Sequence, residues 1–284
     1  RPMFERMRRG WELTKKSWSV VRSNTGLVRF PIYGGIAALI WMLTLGAGGA
    51  ALLAIDEADV SLQVAGGVLV ALGAYLATFS VIYFNVALAA AADEALQGRT
   101  PDLSAARAAA TSRLGAIAGW AVISVVVSAV LSIIRDRAGA AGGILAAIGG
   151  AIWSLVTFLV VPVLALEQIA PIAAMKRSAI LFRQRWGQQI TGNVVIGGIA
   201  GLVTLVGVLL FAGGVALIVS DSTAGLAGGV ALVVVGIVVA IAAAVFAGAV
   251  RGVFGVALYR YVADDTTVGP FDSSDMESAV RQTA

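Results

Sequence analysis

The feature that most constrains this chain is a series of apolar stretches, each long enough to cross a lipid bilayer as a helix. A spanning helix needs about 20 mainly apolar residues, because the hydrocarbon core is about 30 Å thick. Six stretches meet that length, at residues 30–55, 62–92, 114–134, 142–166, 190–220 and 226–250. Only 13% of the 284 residues are charged, against about 25% in a typical soluble domain. The sequence therefore predicts an integral membrane protein and excludes a water-soluble enzyme.

The 20 lysines and arginines lie almost entirely on one side of these stretches. All except Arg135 and Arg137 fall in the N-terminal segment, in residues 93–113 and 167–189, or after the last stretch. Short loops rich in lysine and arginine stay in the cytoplasm. An even number of spans also places both termini on the same side. We therefore expect a multi-pass protein of the plasma membrane whose N- and C-termini are cytoplasmic.

Residues 3–22 are expected to form an amphipathic helix that lies in the membrane interface. Both tryptophans of the segment belong to an apolar stripe at helical spacing, and basic residues occupy the rest of the surface. Such helices place aromatic side chains at the headgroup boundary, and their lysines and arginines favour anionic lipids. The candidate lipid-contacting residues in this segment are Trp11, Lys15, Lys16, Trp18 and Arg22.

Two further segments on the basic side show related patterns. Residues 171–186 combine an apolar stripe with four basic side chains. Residues 101–113 are a weaker case, in which Thr100 is expected to cap a helix that has Pro101 in its first turn. The candidate interface residues of the stronger segment are Lys176, Arg177, Arg183 and Trp186.

Residues 3–22 and residues 171–186 match one another in sequence. Ser17 and Arg22 correspond to Ser178 and Arg183 at a constant offset of 161 residues. The match suggests a unit of amphipathic helix, span, short outer turn and span that occurs three times. The alternative is that basic linkers between spans resemble one another by composition.

These observations predict an all-α membrane protein with six transmembrane helices and amphipathic cytoplasmic interfacial helices, organised as three helix-pair units under the repeat interpretation. Residues 1–263 are expected to form a single six-span transmembrane domain, in which residues 251–261 continue the last span as a helix leaving the membrane. Residues 264–284 are expected to form a polar cytoplasmic tail. Its apolar residues are candidates for docking on a partner or on the protein's own basic face; they are Phe271, Met276 and Val280.

Glycine and proline add local expectations within the spans. Small residues four apart allow the backbones of two helices to approach closely. This spacing occurs in the pairs Gly139/Gly143, Gly197/Gly201, Gly225/Gly229 and Gly248/Gly252, and it suggests internal packing or a homo-oligomeric face. Pro162 lies near the inner end of the fourth stretch and predicts a kink there.

A small number of polar residues interrupt the apolar stretches or end them. Asn85 and Asn193 are candidates to line a pathway or contact headgroups, whereas such residues more often form hydrogen bonds between packed helices. Glu167 and the Asp93–Glu94 pair lie at inner ends of spans. They suggest a cation or proton site near the cytoplasmic mouth, or ion pairs with neighbouring arginines and lysines.

The sequence contains no histidine and no cysteine. This excludes thiol nucleophiles, imidazole bases, disulfides and Cys or His metal ligands. We expect no catalytic residues, no cofactor and no metal site. The net charge of +4 follows from the basic side of the membrane topology and does not indicate a nucleic-acid partner.

Three segments of the chain resemble a known family. Residues 162–187 read PVLALEQIAPIAAMKRSAILFRQRWG, the N-terminal helix reads FERMRRGWELTKKSWSVVR, and ALYRYV occurs near the end. The pattern is similar to that of uncharacterised prokaryotic six-span membrane proteins, a domain of unknown function. This resemblance implies the fold and the membrane location, and it implies no activity.

The leading hypothesis is a non-enzymatic integral membrane protein, a scaffold or accessory subunit that organises the inner leaflet or a partner. It is motivated by basic amphipathic helices without matching catalytic groups. Anionic headgroups, a second copy of the chain and another protein are the expected partners. The alternative is a transporter or lipid-handling permease, which the helix pairs and the polar group around Asn85 suggest. A membrane enzyme is a remote third hypothesis, because nothing places a nucleophile beside a base.

Overall fold

A computed structural model describes residues 2–55, 59–137, 139–186, 209–210, 212–217, 219 and 223–280. All regular elements in these residues are helical. A 3-10 turn at Thr25–Val28 precedes the second α-helix, and a π-helical turn at Met42–Gly46 follows it. The α-helices are α1 (Pro2–Ser23), α2 (Arg29–Trp41), α3 (Ala47–Leu53), α4 (Val60–Leu96), α5 (Leu103–Thr111), α6 (Leu114–Arg137), α7 (Gly139–Thr157), α8 (Val160–Leu166), α9 (Pro171–Trp186), α10 (Thr223–Asp264) and α11 (Ser273–Val280).

Five helical segments are long and apolar enough to cross a membrane. They are Thr25–Leu53, Val60–Leu96, Leu114–Arg137, Gly142–Leu166 and Gly228–Asp264. Only 11–17% of each apolar window is buried inside the protein. A soluble protein does not expose apolar surface on this scale, so these faces require lipid. The chain is an all-helical membrane protein, and the stretch expected to span at 190–220 lies largely outside the described residues.

Helix α4 is the central element of the bundle. It packs against α2, α3, α5, α6, α8 and α10. Its 37 residues extend about 55 Å at 1.5 Å per residue, more than the hydrocarbon thickness. Val64 and Val68 near its start are exposed, whereas Val86 and Leu88 near its end are fully buried. The helix therefore passes from a lipid-facing region into a protein core.

That core lies at one end of the bundle, which we call the basic end and define by the helices α1, α5, α8, α9 and α11. These short helices surround the last turns of α4 and α10 and the first turns of α2 and α6. Their apolar faces bury one continuous cluster. It includes Val21, Leu27, Phe30, Leu88, Ile117, Leu164, Leu181, Val253, Leu258 and Met276. Burial of these side chains holds the short helices to the spans.

The opposite end of the bundle is held by backbone contacts through glycine. A Cβ on Gly49 of α3 would lie 2.6 Å from the carbonyl oxygen of Gly66 in α4. A Cβ on Gly73 would lie 2.8 Å from the amide nitrogen of Gly46. Inside the lipid, the hydrophobic effect does not drive apolar side chains together. Close packing of helix backbones therefore joins the helices at this end.

Two of the glycine pairs expected to give close approach, Gly248/Gly252 and Gly139/Gly143, differ in their surroundings. In α10, a Cβ on Gly248 would lie 3.1 Å from Cβ of Pro31, and one on Gly252 would collide with the Leu88 side chain. Close approach is confirmed for this pair. Around Gly143, no described atom lies within 4 Å of the added Cβ, so the structure shows no close approach inside the chain there.

The fourth predicted span is interrupted near its inner end, as Pro162 indicates. Helix α7 ends at Thr157 and α8 begins at Val160. A proline ring clashes with the carbonyl group four residues earlier, which here belongs to Phe158, so the α-helix cannot continue through this point. The Ser178 hydroxyl of α9 donates a hydrogen bond to the carbonyl oxygen of Val156, just before the break, at 2.6 Å.

The start of α5 differs from the expectation. Thr100 is not the cap; Asp102 is, because its Oδ1 accepts hydrogen bonds from the backbone amides of Ser104 and Ala105 at 2.8 and 3.2 Å. The Ser104 hydroxyl and these amides lower the pKa of Asp102. Aspartate directly before the first helical residue satisfies the free amides of the first turn, which a threonine two residues earlier does not reach.

The segment after α10 packs against the protein itself. Phe271 is 4% exposed and Met276 of α11 is fully buried. Lys16 of α1 forms ion pairs with Asp272, at 3.4 Å, and with Asp275. Residues 271–276 therefore dock on the basic end and connect it to the N-terminal helix.

Candidate functional site

The candidate residues on α1 lie on the outer surface of the basic end. Trp11 is 44% exposed and Trp18 is 37% exposed. The opposite face of the helix, with Leu13, Ser17 and Val21, is buried. The Trp18 ring packs against Phe246 of α10 with 4.9 Å between ring centroids. The helix thus presents its aromatic side chains outward, beside the point where α10 enters the protein core.

The basic candidates of α1 have different surroundings. The Lys15 ammonium lies 5.5 Å from the centroid of the Trp11 ring, within cation–π range. Arg22 is exposed. The Lys16 ammonium is paired with carboxylates at the start of α11. The hydrogen bond to Asp275 is the main cause that raises the pKa of Lys16. Lys15 and Arg22 are therefore the α1 candidates that face outward with their charge.

The candidates on α9 divide in the same way. Lys176 and Arg183 are exposed. The Arg177 Nε donates a hydrogen bond to Glu167 Oε1 at 3.0 Å. The hydroxyl group of Tyr259 in α10 donates to the same oxygen at 2.9 Å. Glu167 therefore joins α8, α9 and α10. The side chain of Trp186 lies outside the described residues.

A second ion pair joins the inner ends of α4 and α10. Arg260 donates from Nε to Asp93 Oδ1 and from Nη2 to Asp93 Oδ2, each at 2.7 Å. The Gln97 amide donates to Oδ2 at 2.8 Å, and Asp93 is only 7% exposed. The neighbouring Glu94 accepts a hydrogen bond from the backbone amide of Asp102 at 3.0 Å. These contacts agree with the ion-pair interpretation of Glu167 and Asp93.

The polar residues near Asn85 do not converge on one point. Thr78 and Ser80 donate to carbonyl groups one turn earlier in their own helix, each at 2.8 Å. The Tyr83 hydroxyl forms a hydrogen bond with Thr111 at 2.9 Å. Asn85 is half-buried. Asn193, the other candidate amide, lies outside the described residues.

Asn85 instead lines a cleft of about 230 Å³ between α4, α8 and α10. Phe158 and Pro162 form one wall, and α10 contributes a glycine-rich wall that includes Arg251. Arg251 is exposed. Among the described residues, the side chains of Asn85 and Arg251 make no hydrogen bond or ion pair with protein. Sequence reasoning counted Arg251 only as one of the basic residues of the inner side. Its position directly after the last apolar stretch was the available signal.

Within the ranges that the structure describes, no cluster of three or more Asp, Glu, His or Cys side chains could hold a metal ion. The chemistry available at the basic end is that of outward-facing cations, tryptophans and one polar cleft. It suits the binding of anions at a membrane surface.

Comparison with known proteins identifies one family. A family model described as a family of unknown function, DUF6159, matches residues 64–269, which is well over half of the chain. Neither the curated proteins nor the solved structures give a match.

Proposed function

The chain belongs to DUF6159, a family of unknown function, and from its own geometry we propose that it is a non-enzymatic membrane scaffold or accessory subunit. It binds anionic lipid at the basic end and organises that leaflet or a protein partner there. The observation that carries this proposal is the different use of charge at that end. Asp93, Glu167 and Asp275 are engaged in ion pairs that join separate helices, whereas several basic side chains and two tryptophans face outward.

The contacts of the basic end support this proposal. Asp93, Glu167 and Asp275 bind Arg260, Arg177 and Lys16, respectively. The outward-facing set consists of Trp11, Lys15, Trp18, Arg22, Lys176 and Arg183. Such a surface attracts anionic headgroups with about 1 kcal/mol for each basic residue near the membrane.

The topology belongs to the same proposal. The basic end is cytoplasmic in this proposal, because lysine and arginine concentrate at that end. The membrane is the plasma membrane. The stretch at 190–220, which lies largely outside the described residues, is the sixth span of this proposal, so that both termini lie in the cytoplasm. A Cβ on Gly214 would lie 2.6 Å from the carbonyl oxygen of Gly229. The same glycine contact occurs between Gly49 and Gly66, which supports a repeated helix-pair unit.

Lipid selectivity of the purified full chain tests the proposed function. Native mass spectrometry in detergent with added lipid should show more phosphatidylglycerol than phosphatidylcholine of the same acyl chains retained on the wild-type protein. Charge removal in the variant K15Q/R22Q/K176Q/R183Q should reduce this preference several-fold. The matched control R135Q/R137Q, at the opposite end, should keep it. A wild-type chain without any preference would exclude leaflet binding as the function.

One observation favours a transporter as the second candidate: the polar side chains of the cleft at Asn85 form no hydrogen bond or ion pair with the part of the chain that the structure describes. A transport pathway requires access from both sides of the membrane. A cysteine at position 85 in the cysteine-free chain can be probed with an impermeant maleimide in oriented vesicles. Labelling from both sides would favour transport, and labelling only from the basic end would favour the scaffold.

A further inference from the structure

We propose that the cleft between α4, α8 and α10 binds the headgroup phosphate of an anionic phospholipid, with Arg251 and Asn85 as the donors. The lipid comes from the leaflet at the basic end. This proposal rests on the function proposed above and goes further, because it assigns one defined site and one class of ligand to it.

The depth of the cleft is the first support. Tryptophan and tyrosine side chains concentrate where hydrocarbon meets headgroups. Trp18 packs on Phe246 of α10, and Tyr33 and Tyr83 pack on Phe84 of α4. Arg251 is five residues beyond Phe246, or about 7.5 Å along the helix. Asn85 directly follows Phe84. Both donors therefore lie at headgroup depth, just beyond the aromatic level.

The surface of α10 above Arg251 is the second support. Ile237, Ile241, Ala244 and Gly248 precede Arg251 at spacings of four, three, four and three residues, so all five share one face. Ile237 is 44% exposed and Ile241 is 50% exposed, and Ala244 and Arg251 are also exposed. An acyl chain can lie along this stripe in the direction of the bilayer normal. The stripe ends in a cation where the headgroup of that chain would be.

The chemistry of the cleft is the third support. A guanidinium group presents parallel N–H donors that match two phosphate oxygens. Arg251 has no carboxylate partner among the described residues and keeps those donors free. The Asn85 amide supplies a neutral donor on the opposite wall. A single water occupies about 30 Å³, so the cleft of about 230 Å³ accommodates a group of several heavy atoms.

Glycine keeps the cleft open on the side of α10. Gly252 and Gly255 line it together with Arg251. A Cβ on Gly255 would meet Pro162 Cγ at 3.5 Å and would occupy space inside the cleft. The apolar wall of Phe158 and Pro162 faces this strip. An apolar wall beside a cationic donor suits a glycerophosphate group that continues into acyl chains and does not suit a fully hydrated free anion.

Site-specific lipid retention tests the proposal. The full-length R251Q and N85L variants should lose about fivefold or more of the tightest phosphatidylglycerol binding in native mass spectrometry, since a phosphate contact of about 1 kcal/mol corresponds to about that factor. The matched control R107Q removes an exposed cation of α5 at the basic end that belongs neither to the cleft nor to the outward-facing set, and it should change this binding by less than twofold. Added inorganic phosphate and glycerol 3-phosphate should not compete.

A second measurement locates the lipid and does not depend on loss of binding. The single cysteine of A244C, labelled with bimane, lies on the acyl-chain stripe. Brominated phosphatidylglycerol should quench it more strongly than brominated phosphatidylcholine, and R251Q should remove the difference. A V64C label on α4 should be quenched equally by both lipids.

The outcomes separate the two proposals. Equal losses in R251Q and R107Q, or equal quenching of the A244C label by both lipids, would overturn the cleft site while leaving general leaflet binding in place. Competition by soluble phosphate at equal concentration would assign the cleft to a free anion. A wild-type chain that prefers no anionic lipid would overturn both.

Discussion

Asp93 shows at the residue scale how charge is used where the spans leave the lipid. Its carboxylate is 7% exposed and accepts hydrogen bonds from two nitrogens of Arg260 and from Gln97. Burying a carboxylate is tolerated only when its oxygens are paired. The pair joins α4 to α10, and it contributes mainly by fixing which turns of the two helices face one another.

Removing the cationic partner should destabilise the protein. Breaking a buried pair costs about 3–5 kcal/mol. Since the Arg260 side chain is 27% exposed and water moderates the loss, we expect about 2 kcal/mol for Arg260→Met. Thermal unfolding in detergent should show a lower midpoint. The double variant with Asp93→Asn should recover much of the loss, and R8M, at an exposed pair, should have no effect. Equal midpoints for R260M and the wild type would contradict this interpretation.

Gly252 should tolerate no added methyl group. Its Cβ would collide with the Leu88 side chain, which is fully buried in the core. Overpacking of this kind costs about 1–3 kcal/mol. Gly228→Ala in the same helix is the matched control, because no atom lies within 4 Å of its added Cβ. We expect a lower unfolding midpoint for G252A and no loss for G228A; similar midpoints would refute close packing at Gly252.

The sequence predicts which acidic residues could form ion pairs, but it does not predict their partners. Glu167 was expected to form a cation site or an ion pair, and only the fold brings Arg177 and Tyr259 to it. Arg260 is 167 residues from Asp93, and no local pattern distinguishes it from the unpaired Arg251. Which arginine pairs with which carboxylate depends on how the helices pack, and local sequence patterns do not show this packing.

At the scale of elements, α11 depends on both charge and burial. Hydrogen bonds from the Ser274 hydroxyl and the Asp275 amide, together with the nearby Lys16 charge, lower the pKa of Asp272 to about 2 from its usual 3.8. A lowered pKa means that the folded state favours the carboxylate. Its contribution is therefore complete above pH 4 and is lost as the pH falls toward 2. For Lys16 the raised pKa means that its contribution is lost above pH 10.5.

Protonation of Asp272 at low pH should therefore loosen the N-terminal turn of α11, because the lowered pKa arises mainly from hydrogen bonds within that turn, and loss of the Lys16 charge at high pH should weaken the docking of α11. A dye attached to E277C should report increased mobility by fluorescence anisotropy as the pH falls from 4 to 2. The D272N variant should lack this step, because it has no carboxylate to protonate. A transition of equal size and midpoint in D272N would show that another group controls the docking.

Burial of Met276 should control whether α11 stays docked. Truncating a buried methionine to alanine costs about 2–5 kcal/mol, more than a short helix at the protein surface retains. Met276→Ala should therefore expose Phe271, which chymotrypsin then cleaves. E277A, which changes an exposed neighbour, should resist chymotrypsin as the wild type does. Resistance of M276A would place the anchor of α11 elsewhere.

Elements with strong periodicity were predictable, and their ends were less so. The five apolar stretches within the described residues became helices, and the helical continuation of the last one through residue 261 is confirmed. The break at Phe158 followed from Pro162. The cap of α5 was misplaced by two residues, because both Thr100 and Asp102 are suitable caps and their backbone angles decide between them. The docking of residues 271–276 depends on a surface built from distant segments.

At the scale of the whole molecule, the proposed orientation gives a direct prediction. The chain has no cysteine, so single cysteines can report which side each end faces. On intact cells, an impermeant maleimide should label S61C, at the glycine-packed end, and should label S273C only after permeabilisation. Labelling of S273C from outside would reverse the orientation.

The position of the buried core gives the protein two different solvents. In the lipid-exposed half, helices are held by close glycine contacts, which urea in the aqueous phase does not reach. At the basic end, short helices cover an apolar cluster by the hydrophobic effect, which urea weakens. The two halves therefore respond to different agents. We expect urea to detach the covering helices while the spans persist, and a harsh detergent to separate the spans. Unfolding should then proceed in two transitions. A single free energy of unfolding does not describe such a protein.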